Sequence, residues 1–385
     1  MSPVQARRHR FVLSFFAPAI SMLTLWASSA LAQAGSKPDS AGMDFSGILF
    51  ANYQYQTDET AESANRFDVE RAYLTFRMPA GARGSVRITT DLYQQTASGR
   101  DDYYRGWSVR AKYAYLQYNY LDRSSLRGSV RIGLLQTVFV EHDEMFWPRW
   151  IGNSPTERAG FFSSADGGIA NTLTFPAART EIYSTITNGP GYTSRETDRF
   201  KDFATRVTIR PWGEEGTPLG GLALTAWGYK GAISSRFVGG GNGQLGPVGD
   251  GIDRSRWGIH AGTSSQRLVL AAQYARRMDG GEEGENTPES PRTVTDSTGV
   301  LVSAYGIARP FSSRGRPHPL AMIARFDRVT TNTETDASYD RYIGGLIWDF
   351  SSRLSMSVDY QEAAPREGVT IAATRTWFAH FVARF

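Results

Sequence analysis

The chain has 385 residues, with 42 Lys+Arg against 38 Asp+Glu, a formal net charge of +4 and no cysteine. Three basic residues, Arg7, Arg8 and Arg10, sit in the first ten positions, so the rest is near neutral and charge gives no support for a nucleic-acid partner. The lack of cysteine excludes a disulfide framework.

Residues 1–32 read as a secretory signal peptide. Arg7, Arg8 and Arg10 form its positive start, Phe11 to Leu25 its apolar stretch, and Ala30-Leu31-Ala32 a small-residue cleavage site. The alternatives are an uncleaved anchor and a twin-arginine signal, the latter spoiled by the spacing of Phe11 after Arg10. No later stretch approaches the ~20 consecutive apolar residues of a membrane helix. Residues 33–42 are a short polar lead, expected to be periplasmic.

From there to Phe385 the pattern has period two, broken by turn chemistry. Sixteen runs are predicted: Asp44–Gln56, Arg66–Met78, Arg83–Gln95, Trp107–Tyr120, Leu126–Phe139, Gly168–Phe175, Arg179–Asn188, Lys201–Pro211, Leu219–Lys230, Arg254–Ser264, Gln266–Met278, Thr298–Arg309, Pro319–Thr330, Ser338–Phe350, Arg353–Glu362 and Thr370–Phe385. The connections between them alternate long and short. An even number of strands with short turns on one rim and long loops on the other is the pattern of an all-β, antiparallel transmembrane barrel of about 16 strands, here spanning 43–385.

Alternation also assigns faces. Ala72, Leu74 and Phe76 oppose Arg71, Tyr73 and Arg77, and Val86 and Ile88 oppose Arg87. A charge on the lipid face at mid-bilayer costs ~2–4 kcal/mol, so the arginine face is the lumen and the lumen is wet. On this reading Arg71, Tyr73, Arg77, Arg87, Arg110, Arg131, Arg206, Arg210 and Arg325 line the pore. The basic residues are 38 arginines and 4 lysines (Lys37, Lys112, Lys201 and Lys230). Guanidinium is always charged and presents a planar fork to oxyanions.

The connection 140–167 is too long for a structureless loop and too aromatic for disorder. It is expected to fold and pack, leaving Glu141, Asp143, Glu144, Arg149, Glu157, Arg158 and Asp166 to face a passing solute. Its Phe146, Trp147, Trp150, Phe161 and Phe162 suit packing against the wall, or a slide for sugars or aromatic acids. Glu141-His142-Asp143-Glu144 reads as a hydrated acidic segment, with a metal site as the sharper alternative. Asp279–Glu285 reads as a solvated loop, with cation-mediated lipopolysaccharide contact as its alternative. On the last run Trp377, Phe381 and the terminal Phe385 share the outer face, as an assembly signal on an edge strand would.

The chain resembles the general porins, and more closely the phosphate-selective porins of the O/P type. Phe67-Asp-Val-Glu-Arg-Ala-Tyr-Leu-Thr-Phe76, Arg131-Ile-Gly-Leu-Leu-Gln-Thr-Val-Phe139, Glu157-Arg158, Asp166-Gly-Gly-Ile169 and the terminal Phe carry the resemblance. The family's Thr-Pro-Phe-Gly is Thr137-Val-Phe-Val140 here, and four lysines leave no lysine cluster. The resemblance implies an outer-membrane channel for small polar or anionic solutes, phosphate among them, with 140–167 as a third long loop that folds inward and constricts the lumen. It further implies a homotrimer, contact with lipid and lipopolysaccharide, and delivery by the barrel assembly machinery. No cofactor or metal is expected. An enzyme is the competing class: His380 has lumen parity, but no G-x-S-x-G is present.

Overall fold

The alternating pattern is expressed as sixteen strands: β1 (Asp44–Gln56), β2 (Asn65–Pro79), β3 (Gly84–Gln94), β4 (Trp107–Asp122), β5 (Arg127–Gln136), β6 (Ala165–Phe175), β7 (Thr180–Thr187), β8 (Asp202–Ile209), β9 (Ala223–Ser234), β10 (Gly251–Ser264), β11 (Leu268–Glu283), β12 (Thr293–Ala308), β13 (Leu320–Asn332), β14 (Ala337–Asp349), β15 (Leu354–Pro365) and β16 (Thr374–Arg384). Two one-turn helices, α1 (Val140–Asp143) and α2 (Pro155–Arg158), lie between β5 and β6. This computed structural model describes residues 42–57, 64–94, 106–196, 198–212, 221–234, 251–283, 293–313, 318–366 and 372–385. The expected signal peptide and residues 33–41 of the lead lie outside them.

Each strand pairs antiparallel with its neighbours in sequence, and β16 pairs with β1, so the sheet closes into a barrel with no free edge. Outward positions such as Leu74, Ile88, Leu116, Ile132, Met322 and Val358 are exposed and apolar. Inward positions such as Thr75, Thr89, Asp327 and Asp359 are buried and polar. Aromatics flank this band at both ends. Tyr360 meets Trp377 and Tyr53 meets Phe67 toward the long loops, while Phe45 meets Phe76 and Phe385 toward the turns.

Three expectations shift. β6 begins at Ala165, so Asp166 belongs to a strand rather than to the loop. The β11–β12 ladder runs on from Asp279↔Ser297 to Glu283↔Thr293, turning part of an expected long loop into hairpin. The remainder of the acidic stretch, 284–285, lies outside the described residues. The third shift concerns parity. On β2 the register passes from Phe50↔Arg71 to Ala51↔Val69, and on β4 from Thr89↔Tyr113 to Thr90↔Ala111. Glu70 and Lys112 are the extra residues of these two bulges. A bulge re-aims side chains. Strict alternation from Tyr113 points Lys112 at lipid, whereas the bulge turns it inward to only 3% exposure.

The closing β1–β16 ladder runs on to Phe385. The Phe385 N–H donates to the Gly47 carbonyl at 3.0 Å, and the Gly47 N–H donates to the Phe385 carbonyl at 2.8 Å. The Phe385 ring lies over Gly47 so closely that a β-carbon there would fall 2.2 Å from it. Deleting Phe385, or making Gly47→Val, is therefore expected to lower the yield of folded, heat-modifiable barrel severalfold. Normal yield from both variants would mean that closure does not need this contact.

Candidate functional site

The connection 137–164, the third long loop, enters the lumen. Its local signals explain how it holds shape. Ser154 caps α2 by accepting from the Glu157 N–H at 3.5 Å, and Pro155 occupies the first turn, where its missing donor costs nothing. Gly160 follows the helix at φ 75°, and the Phe161 N–H returns to the Thr156 carbonyl at 2.8 Å. Ser-Pro-Thr-Glu with a glycine just beyond is a readable short-helix signature that the period-two reading passed over.

Packing then pins the loop to the wall formed by β8 to β15. Trp147 is fully buried, and Val138, Phe139, Val140, Phe146, Trp150, Ile151, Phe161 and Phe162 are buried with it. The loop aromatics are core. Phe162 meets Trp227 edge-on at 4.9 Å, and Trp147 meets Tyr305 at 5.8 Å. Loop carbonyls inside a barrel need donors, and the wall supplies them. Arg206 donates to Val138 at 3.2 Å, Arg277 to Ala159 at 3.2 Å, Arg325 to Asn153 at 2.7 Å and Gln361 to Ile151 at 2.9 Å. Arg256 donates to Phe161.

These clamps relocate two residues expected to line the pore. Arg206 is buried, bonded to the loop and paired with Glu181. Arg325 is buried, paired with Asp327 at 2.6 Å and stacked 4.8 Å over Trp147. Neither faces open solvent, because each is needed to hold the loop.

The acidic segment separates in the same way. One helical turn sends its four side chains to different partners. Glu141 accepts from Gln136 at 3.2 Å, His142 Nε2 shares a hydrogen bond with Thr225 Oγ1 at 2.9 Å, and Glu144 pairs with Arg149. Asp143 accepts from Tyr305 and, at 3.3 Å, from Gln273. The segment is thus not uniformly hydrated: Asp143 and His142 are buried, and only Glu141 and Glu144 remain at the open side.

Burial pushes the Asp143 carboxyl up to about 6, against the lowering effect of Tyr305, Gln273 and Arg325. Burial, with Arg206 and His260 nearby, pushes His142 well below its usual range. A raised acid contributes stability that is complete below its unfolded value of 3.8 and is lost as pH rises through about 6. The histidine works the other way as pH falls through its unfolded range. Comparing Asp143→Asn with the native chain removes the histidine's part. The variant is expected to match the native chain near pH 4 and to exceed it at pH 8 by up to about 3 kcal/mol. The check is the thermal transition of the folded barrel in detergent at both pH values; an equal difference at both would exclude a titrating Asp143.

An open chamber of about 470 Å³ lies between the first half of the loop and β1 to β4, with Val269, Ile307 and Arg384 also on its border, toward the turn rim. Its lining carries five cationic side chains, Arg77, Arg87, Lys112, Arg149 and Arg384, against two carboxylates, Glu141 and Glu144. Arg77 lies 3.6 Å from Asp44, and Arg87 lies 3.7 Å from Glu141 and 4.5 Å over the Tyr113 ring. Arg149 is taken up by Glu144 and by Glu157 at 2.6 Å, and it donates to the Tyr73 hydroxyl at 3.4 Å. Burial alone would raise the Glu157 carboxyl, but Arg149 beside it holds it below the ordinary range. Lys112 is not among the residues expected at the site. Its ammonium sits 4.2 Å over Tyr73 and 5.4 Å from the Tyr113 centroid.

The remaining expected residues extend this strip. Arg131 donates to Gln117 at 2.8 Å and Gln136 at 3.2 Å, between the Tyr115 and Tyr183 rings. Arg71 and Arg110, on the long-loop side, share the buried carboxylate of Asp91 at 2.8 and 2.9 Å. Arg210 is half-buried near the turn rim, and Arg158 is exposed on the loop. Asp166 accepts from the Gly167 and Gly189 N–H groups at 2.7 and 2.6 Å and braces a neighbouring loop. His380 lies 3.5 Å from Asp359, but Ser357 donates to Asp359 at 2.7 Å, and the Trp150 ring lies 6.4 Å from the imidazole.

No protein-family profile matches the sequence, and no curated protein matches it. Solved structures do match in fold. Salmonella typhi OmpF, in complex with daunomycin, aligns with TM-score 0.59 at 15% identity, over 89% of this chain and 97% of that one. An anion-selective porin from Comamonas acidovorans aligns with TM-score 0.58 at 12% identity, over 89% and 99%. The trimer form of OmpT, an outer membrane protein of Vibrio cholerae, aligns with TM-score 0.57 at 11% identity, over 89% and 99%. The chain has the fold of outer-membrane porins. At these identities the likeness is one of fold alone.

Proposed function

We propose that the protein is an outer-membrane channel through which small hydrophilic solutes diffuse, with a preference for anions. The observation that carries this reading is the excess of cationic over acidic side chains around the open chamber beside the first half of the constriction loop. Rings of charge set ion selectivity in a pore. The Comamonas structure is titled an anion-selective porin, which supports the same reading. Inorganic oxyanions such as phosphate fall within this class: Arg77, Arg87 and Arg131 make a row of forks toward the turn rim. The O/P resemblance supports phosphate, while the single lysine at the chamber argues against a lysine-built phosphate trap.

The rest of the reading is an exported chain delivered to the outer membrane by the assembly machinery, surrounded by lipid and lipopolysaccharide. Assembly as a homotrimer is supported by the trimer form of the Vibrio protein. Catalysis fits the lumen less well. The His380–Asp359 pair has no hydroxyl hydrogen-bonded to its imidazole among the described residues, and it is buried under the loop. The test is the reversal potential of the purified protein in a planar bilayer under a KCl gradient, repeated with phosphate added. A chloride preference is expected, and block by low phosphate would extend it to that ion. A potassium preference would overturn the anion reading.

A further inference from the structure

The chamber combines two features that a bare ion path does not need. One is a buried cation without a carboxylate. Among the described residues no carboxylate approaches within 4 Å of the Lys112 ammonium, and the carboxylates on its side of the loop, Glu144 and Glu157, are both engaged by Arg149. A buried charge is costly unless it is paired, and two tyrosine faces compensate it only in part. The other feature is the wall. Phe50, Tyr73, Tyr113, Phe146, Trp147 and Trp150 all border the chamber. A space of several hundred Å³, mostly apolar and carrying a few placed charges, is the form of a small-molecule site.

Resting on the reading of the protein as an anion-preferring channel, we infer that this chamber binds small aromatic carboxylates on their way through, with the carboxylate at Lys112 and the ring against the Tyr73, Tyr113 and loop-aromatic walls. Lys112 is the buried side chain of the chamber that lacks a carboxylate partner, and it calls for one. Of the other cations of the chamber, Arg77 has Asp44, Arg87 has Glu141 and Arg149 has two glutamates, while Arg384 is only half-buried at the turn rim. Inorganic phosphate would leave the aromatic walls without a contact, and an uncharged ring would leave Lys112 unpaired. Acetate would satisfy the charge alone. The ring and the charge together select benzoate-like solutes over either.

The test uses the full-length protein in a planar bilayer, with the KCl current titrated by sodium benzoate and by sodium acetate. Benzoate is expected to interrupt the current at a concentration at least tenfold below acetate. Lys112→Gln is expected to remove that difference, and Lys112→Arg to retain part of it. Equal effects of benzoate and acetate on the native channel would overturn the aromatic site while leaving a chloride preference intact. A benzoate effect unchanged in Lys112→Gln would overturn its assignment to this chamber. Loss of the chloride preference in the native protein would instead remove the reading beneath it. Should Lys112→Gln fail to assemble, Lys112→Arg takes its place: a benzoate-to-acetate difference undiminished in that variant would overturn the assignment to this chamber.

Discussion

Replacing residues 147–163 by a short Gly-Ser linker raises single-channel conductance by roughly threefold or more, since a sixteen-stranded barrel without an inner plug encloses a wide aqueous lumen. The segment carries Trp147, Trp150, Ile151, Phe161 and Phe162, all buried against the β8 to β15 side. It also supplies the carbonyls of Ile151, Asn153, Ala159 and Phe161, which the wall groups bind. Once it is gone, Arg256, Arg277, Arg325 and Gln361 face water, which satisfies them as well as the loop did. Arg325 keeps Asp327, and Arg256 keeps Asp279 at 3.0 Å. The barrel itself is held by its closed ladder and should remain heat-modifiable. A folded barrel of unchanged conductance would show that the loop does not limit flow.

The second large effect is on selectivity. Arg87→Glu combined with Arg131→Glu should turn the reversal potential from chloride-preferring to potassium-preferring. Both side chains point inward on β3 and β5. Arg87 shares its charge with Glu141 at 3.7 Å, and Arg131 is held by amides. The Arg131 charge therefore remains available to the solute, and each reversal changes the local charge by two. Arg71→Glu is the contrasting control. Arg71 already shares Asp91 with Arg110, so its reversal disturbs that pair more than the pore field. A double variant that keeps its chloride preference would clear this row of the role.

How much of this was legible depends on the range of the interaction. Leu74 and Arg71 declare opposite faces within a few residues, and Trp377 and Phe381 declare the outer face of β16 as locally. Ser154, Pro155 and Gly160 announce a short helix just as locally, although alternation drew attention elsewhere. Arg206 and Arg325 looked like pore residues because lumen parity is all that a strand pattern reports. It says nothing of what else fills the lumen. Asp143 looked hydrated because its partners, Tyr305 and Gln273, lie on strands far along the chain.

The sequence by itself determined the strands, their two faces and the rim of each connection. All of these follow from side-chain alternation and turn chemistry, which act over a few residues. Only the tertiary structure decided which charges remain free. Neutralisation is a matter of pairs, and here the pairs join Asp143 to Tyr305 and Arg325 to the carbonyl of Asn153 across the barrel. It also decided the place of Lys112. A bulge is a property of two strands in register, and one extra residue opposite Thr89 and Thr90 turned that ammonium from the lipid side to the pore.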